Sequence, residues 1–194
     1  MDSLDVDEET RDLVSIQKTL SGNPEAFRTV VEAYQKRLYQ FCLVRLGDPE
    51  AASDATQEIF IRAYKSLGTF KIGRNFRAWI FSIAVHHLYS GWKQKKRDKE
   101  KLQRSYYPEE TGATNPEENL LSSENARELQ GALAKLKEEQ ATALYLHYFE
   151  GLSVADIAAA LNLGEENVKT RLFRGRKKLR ELLENRNPPL SGEV

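Results

Sequence analysis

The chain has 194 residues, 40% of them hydrophobic and 30% charged, with 29 basic and 29 acidic side chains. This leaves room for one medium domain or two small ones and is the profile of an ordinary folded protein rather than a disordered chain. The longest apolar stretches, such as Trp79 to Val85, stop far short of the ~20 residues of a membrane span, and the acidic start (Asp2, Asp5, Asp7, Glu8, Glu9) is the reverse of a signal peptide's basic one; a cytoplasmic protein is expected.

A first short helix is predicted over Leu13 to Leu20, broken by Gly22. Asn23-Pro24 restarts the chain with a cap and a proline suited to the first helical turn. The next helix carries one stripe, Phe27, Val30, Val31, Tyr34, Leu38, Phe41 and Cys42, and stops at Gly47. Cys42, the single cysteine, allows no internal disulfide or Cys-rich zinc site and is expected in the core. Asp48-Pro49 caps a third helix running to Leu67, with Gly68 as its stop. A loop leads to a fourth helix from about Asn75, with the stripe Phe76, Trp79, Ile80, Ile83, Ala84 and His87. From Asp98 to Asn125 periodicity fades among Pro108, Gly112, Pro116 and several glutamates, the mark of a linker. Helices resume near Ala126 (Leu129, Leu133, Leu136) and again over Gln140 to Phe149, stopped by Gly151. The tail after Asn187 is expected to fray. No run alternates as a half-buried strand would, so the fold class is all-α: an N-terminal helical bundle and a C-terminal helix-turn-helix domain, two small domains joined by a flexible linker.

Leu152 to Leu183 is the most specific stretch. Ser153 and Asp156 form a capping box; Ile157, Ala158 and Leu161 make a buried face; Asn162-Leu163-Gly164 supplies a tight turn; Val168, Leu172, Leu179 and Leu183 stripe a second helix. In a helix-turn-helix that second helix enters the major groove. At ~100° per residue Thr170, Phe173, Arg174 and Lys177 point away from the stripe, with Lys169 beside them. Outward Phe173 would be a liability unless covered, as by a thymine methyl or a sugar. The other reading is a plain helical hairpin with a solvated basic face.

The zero net charge conceals two basic blocks, one from Lys93 to Arg104 and one from Lys169 to Arg180. They mark two places where a polyanion is held, or two solvated helix faces. The first block follows a second apolar stripe on the fourth helix (Phe81, Leu88, Trp92, with Tyr89 nearby). Aromatics beside cations suit stacked-out bases; packing against the first short helix or the other domain is the reading that the residues alone favour.

Three motifs break the tie. Asp54-Ala55-Thr56-Gln57-Glu58-Ile59-Phe60-Ile61-Arg62-Ala63-Tyr64 resembles the D-x-x-Q-E-x-F-x-x-x-Y signature of bacterial sigma factors. Phe76 to Ala84 resembles the helix that follows it, and Val168 to Leu179 the family's recognition helix. Their order and the absence of further domains resemble the extracytoplasmic-function group, over roughly residues 23–98 and 126–184.

The resemblance implies residues 1–22 as an acidic segment with a short helix, 23–98 as sigma region 2, 99–125 as linker, 126–187 as sigma region 4 and 188–194 as tail. It implies that Asp54, Gln57, Glu58 and Phe60 on one helix face bind the clamp helices of core RNA polymerase, whose flap is a further partner surface. Phe70, Lys71, Arg74, Trp79 and His86 would meet the melted minus-ten element. Lys169, Thr170, Arg171, Phe173, Arg174 and Lys177 would read the minus-thirty-five duplex, and the acidic linker would thread the polymerase's interior. It also implies an anti-sigma partner, in some relatives one that holds the factor at the membrane. No catalytic residue, cofactor, metal or small-molecule substrate is expected, so the protein is expected not to be an enzyme. His86 and Ser90 stand where the family commonly has Asn and Asp, so the family's minus-ten preference does not carry over. The rival is a self-sufficient helix-turn-helix regulator whose first domain dimerises or binds a ligand; it would bind specific DNA without polymerase.

Overall fold

Asp48 shows how the local chemistry sets the helices. Its side chain accepts a hydrogen bond from the Ala51 amide (2.8 Å), and Pro49 fills the first turn of the helix it starts. The computed structural model describes residues 3–102, 129 and 131–184, with backbone only for 3–7 and 91–102. The long helices are α1 (Ser3–Leu20), α2 (Arg28–Leu46), α3 (Pro49–Ser66), α4 (Phe76–Leu102), α5 (Glu138–Tyr148), α6 (Val154–Leu161) and α7 (Glu165–Glu184), and the described residues include no strand. Residues 131–134 are also helical. The chain divides into two compact units, Met1–Asn115 and Pro116–Val194. Most of the expected linker, from 103 onward, and the tail lie outside the described residues.

In the first unit α2 and α4 present the expected stripes inward: Val30, Tyr34, Leu38, Phe41, Ile80 and Ala84 are buried. Cys42 is fully buried, and burial pushes its thiol up to about 11 against a hydrogen bond with Thr56, so it is unreactive at neutral pH. Aromatic rings meet edge-to-face between elements, Phe41 on Phe81 at 5.5 Å and Tyr34 on Phe76 at 5.7 Å. Phe81 and Leu88, for which base stacking was one of two readings, are therefore core, with Phe81 packed on α2 through Phe41. Gly47 ends α2 in the left-handed conformation, at φ 69°.

Two boundaries differ from expectation. α1 starts at Ser3, not Leu13, because its N-terminal half is held by ions rather than by an apolar stripe. Glu8 accepts from Arg37 on α2 (2.9 Å) and from Arg77 on α4, and Asp12, 2% exposed, accepts from the Tyr34 hydroxyl at 2.5 Å. Burial, then the Asp12 charge, raise the Tyr34 phenol far above its ordinary range, so it stays a donor. At the other end α4 runs to Leu102, past the expected boundary at 98; Lys, Gln, Arg and Glu there are good helix formers even without an apolar stripe.

In the second unit Leu133, Leu136, Leu144, Leu146, Ile157, Val168 and Leu172 make the core. Ser153 accepts from the Asp156 amide (3.1 Å) and donates to its carboxylate (2.7 Å), closing the predicted cap on α6. Asn162, at φ 54°, turns the chain toward α7. Leu161, Leu179 and Leu183 are only half-buried. Gly175, which the sequence reading passed over, is buried where α7 crosses α5: a Cβ there would sit 3.0 Å from the Leu144 side chain and 3.3 Å from Gln140. Gly175→Val should force the helices apart and cost about 1–2 kcal/mol, read as a lower denaturant midpoint; an unchanged midpoint would mean the crossing has slack.

Candidate nucleic-acid interface

Helical register divides α3 into a core side (Ala52, Ala55, Thr56, Ile59, Ala63) and an open side. Asp54 and Gln57 are exposed, and Glu58 is partly exposed and paired with Arg62 one turn on (Nε–Oε1 2.7 Å). Phe60 is not on this face. It is half-buried, roughly 120° round from Asp54 at ~100° per residue. Ile61, 47% exposed, stands among the three polar residues instead, with Tyr64 at 46% on its flank. Exposed apolar bulk inside a polar motif was the available signal for both. Behind the Glu58–Arg62 pair lies His87 of α4, whose pKa is lowered by partial burial and by Arg62, against a raising effect of Glu58; it is neutral at pH 7.

The turn between α3 and α4 is built on a ring cluster. Phe70 is 6% exposed, its centroid 5.2 Å from Phe76 and 5.6 Å from Trp79, and Phe76 stacks on Trp79 at 5.4 Å. Phe70, expected among the base-capturing residues, thus props the turn from within and leaves little ring surface for stacking, because an apolar ring with three-sided company is better buried. Asn75 caps α4 by accepting from the Ala78 amide (3.0 Å). Lys71, Ile72 and Arg74 are exposed around Gly73, whose φ of 88° lets the chain reverse there. Trp79 is half-buried, and His86 lies exposed further along α4.

On α7 the outward residues are as read. Phe173 is 64% exposed, and Lys169, Thr170, Arg174 and Lys177 are exposed around it. Thr170 hydrogen-bonds the Glu166 carbonyl (2.8 Å), and Lys169 pairs with the Glu166 carboxylate (2.6 Å), which raises its pKa. Arg171 does not join them. Its side chain is 18% exposed, its Nε donates to Asn167 (2.9 Å), and its guanidinium reaches Glu139 of α5 (3.3 Å). Register places it beside the Val168–Leu172 stripe, so its charge serves the domain's own packing. Outside this face, Tyr148 and Phe149 at the end of α5 are 59% and 49% exposed, with Arg176 at 3.4 Å from the Tyr148 hydroxyl.

Among the described residues no group of three His, Cys, Asp or Glu side chains could hold a metal, and no helix is long and apolar enough to cross a membrane. The arrangement can hold polyanions and present rings and hydrogen-bond donors to bases.

The comparisons with known proteins fall on the same segments. Residues 30–98 match the model for Sigma-70 region 2, and residues 126–179 that for Sigma-70, region 4. The chain is 32% identical over 182 residues to the ECF RNA polymerase sigma factor SigW of Bacillus subtilis, covering 87% of this chain and 94% of SigW. It is 29% identical over 194 residues to the ECF RNA polymerase sigma-E factor of Escherichia coli K12, covering 94% and 97%. Among solved structures it is similar to the sigma factor RpoE bound to the anti-sigma factor NepR from Bartonella quintana (TM-score 0.70, 25% identity, 81% of this chain and 96% of that one). It is also similar to CnrH in complex with the cytosolic domain of CnrY (TM-score 0.66, 26% identity, 90% and 98%).

Proposed function

The chain belongs to the ECF group of RNA polymerase sigma factors, and from that premise we propose that it binds core RNA polymerase and directs promoter-specific initiation in the cytoplasm. It makes no bond and turns over no substrate. Polymerase binding holds its two DNA-reading units on one promoter, and preference for melted over paired strand shifts the opening equilibrium. In this reading Asp54, Gln57 and Glu58 on α3 meet the clamp helices, with Ile61 supplying the apolar contact and Phe60 at the edge. Lys71, Arg74, Trp79 and His86 meet the melted minus-ten element over the support of Phe70. Lys169, Thr170, Phe173, Arg174 and Lys177 read the minus-thirty-five duplex, with Arg171 holding their helix to α5. An anti-sigma protein that covers the polymerase-binding face would keep the factor silent, as the pairing of RpoE with NepR suggests.

The observation that carries the proposal is the outward face of α7, an exposed phenylalanine ringed by cations and a hydroxyl, in the same chain as the polar D-x-x-Q-E face of α3. Run-off transcription with core polymerase on a genomic promoter library, with and without this protein, tests it; specific binding to promoter DNA by the chain alone would favour the self-sufficient regulator. Within the reading, Arg174→Ala should cost about 1–3 kcal/mol at the upstream element and relax base preference there. Equal weakening on every sequence would limit Arg174 to holding phosphate.

A further inference from the structure

Tyr148 is the last residue of α5 and, at 59%, the most exposed of the described tyrosines. Its ring is held in place rather than loose. His147 stands edge-on to it with the centroids 4.9 Å apart, and is itself fixed by Nδ1 donating to the Leu152 carbonyl at 3.0 Å. The phenol oxygen meets Arg176 of α7, whose Nη1 donates to it at 3.4 Å.

That guanidinium has no acid on it among the described residues. Other cations of the same helix do: Lys169 has Glu166, Arg171 has Glu139 and Lys178 has Glu181. Arg176 has a neutral phenol at the long end of the hydrogen-bond range, which leaves most of its planar fork of five donors unused. A phosphoryl group on the phenol oxygen supplies the missing partner, two anionic oxygens for a bidentate, charge-assisted pair. At the C-terminus of a helix a dianion is repelled by the outward carbonyls unless a cation takes it up, and Arg176 is that cation.

Position gives the consequence. Arg176 follows Phe173 by three residues and precedes Lys177, so it lies ~60° and ~100° round α7 from them, at the flank of the outward face. A phosphate there carries a charge of about −1.5 to −2 and sets it against the phosphates of an approaching duplex.

We propose that Tyr148 is a phosphorylation site, and that its phosphate, gripped by Arg176, weakens reading of the upstream duplex by α7. A protein kinase with a nucleoside triphosphate supplies the group. The Tyr148 oxygen bonds to the γ-phosphorus, the bond from that phosphorus to its bridging oxygen breaks, and the nucleoside diphosphate leaves with the electron pair. The phenol proton passes to the base of the kinase. This rests on the duplex-reading role given to α7 above and adds a switch to it.

The test compares holoenzyme built with phosphotyrosine at position 148, placed during translation, with unmodified holoenzyme on promoter DNA. Affinity should fall about tenfold at low salt, and the gap should narrow as salt rises, because the effect is one of charge. The phosphorus-31 titration midpoint should lie below the ~6 of an unpaired phosphate and return there in Arg176→Gln. Mass spectrometry of the chain purified from the cells that make it, across growth and stress conditions, should find the phosphate at Tyr148. Its absence in every condition, equal DNA affinity with and without it, or an unshifted titration in the unsubstituted chain overturns the proposal. Unmodified holoenzyme that loses no affinity when the upstream element is scrambled would instead defeat the reading of α7 itself.

Discussion

Glu58→Lys should abolish recovery of this chain with core RNA polymerase, a loss of about 100-fold or more in affinity, without unfolding it. Like charges set against each other at an interface cost several kcal/mol, and the substitution places a cation on the open face that position 58 shares with Asp54, Gln57 and Ile61. The fold should survive because the Glu58 side chain is 40% exposed and its pairing with Arg62 is a surface i,i+4 contact, a class worth about 0–1 kcal/mol. The neighbouring His87 is already held neutral by burial and Arg62, and a second cation nearby acts in the same direction. Co-purification with core polymerase, read beside a thermal melt, separates the two effects. Unimpaired transcription by the mutant would remove the proposed clamp contact; a collapsed melt would show that Glu58 supports the fold.

A second large effect is expected at Glu8. Its carboxylate, 21% exposed, is shared by Arg37 of α2, Arg77 of α4 and, at 3.5 Å, Arg11 of its own helix. Arg77 is itself only 16% exposed. Removing one member of a largely buried ion group leaves its partners as uncompensated charge, so Glu8→Ala should destabilise the first unit by about 3 kcal/mol, the low end of the range for fully buried pairs. Glu8→Gln, which keeps an acceptor and loses the charge, should fall between. Urea unfolding followed by helical signal gives the comparison. A cost below ~1 kcal/mol would mean that α1 is only laid against the bundle.

The contrast between α1 and α6 explains which features were legible. Ser153, Asp156, Asn162 and the Val168–Leu172 stripe act within one turn of themselves, through capping, a left-handed turn and a 3.6-residue period, and such rules can be read along the chain. Glu8 and Asp12 act across 22 to 69 residues, on Tyr34, Arg37 and Arg77. Nothing local distinguishes them from the other acids of the first turns, so they look like solvated charge. Arg171 carries the same lesson in reverse. Next to Thr170 in a basic run it resembles a DNA contact, yet its position beside the buried stripe turns it to Glu139.

Composition, periodicity and three motifs by themselves determined that the chain is helical, where the turn of the helix-turn-helix falls, which face of α7 is outward and which family the chain joins. Only the tertiary structure decided that Phe70 and Phe81 are core rather than stacking surfaces, which side of α3 is left open, and that Gly175 sets how closely α5 and α7 approach. The reason is physical. An aromatic or small residue gains from burial and from exposure to a ligand by the same chemistry, and which of the two it meets depends on neighbours brought together from distant parts of the chain.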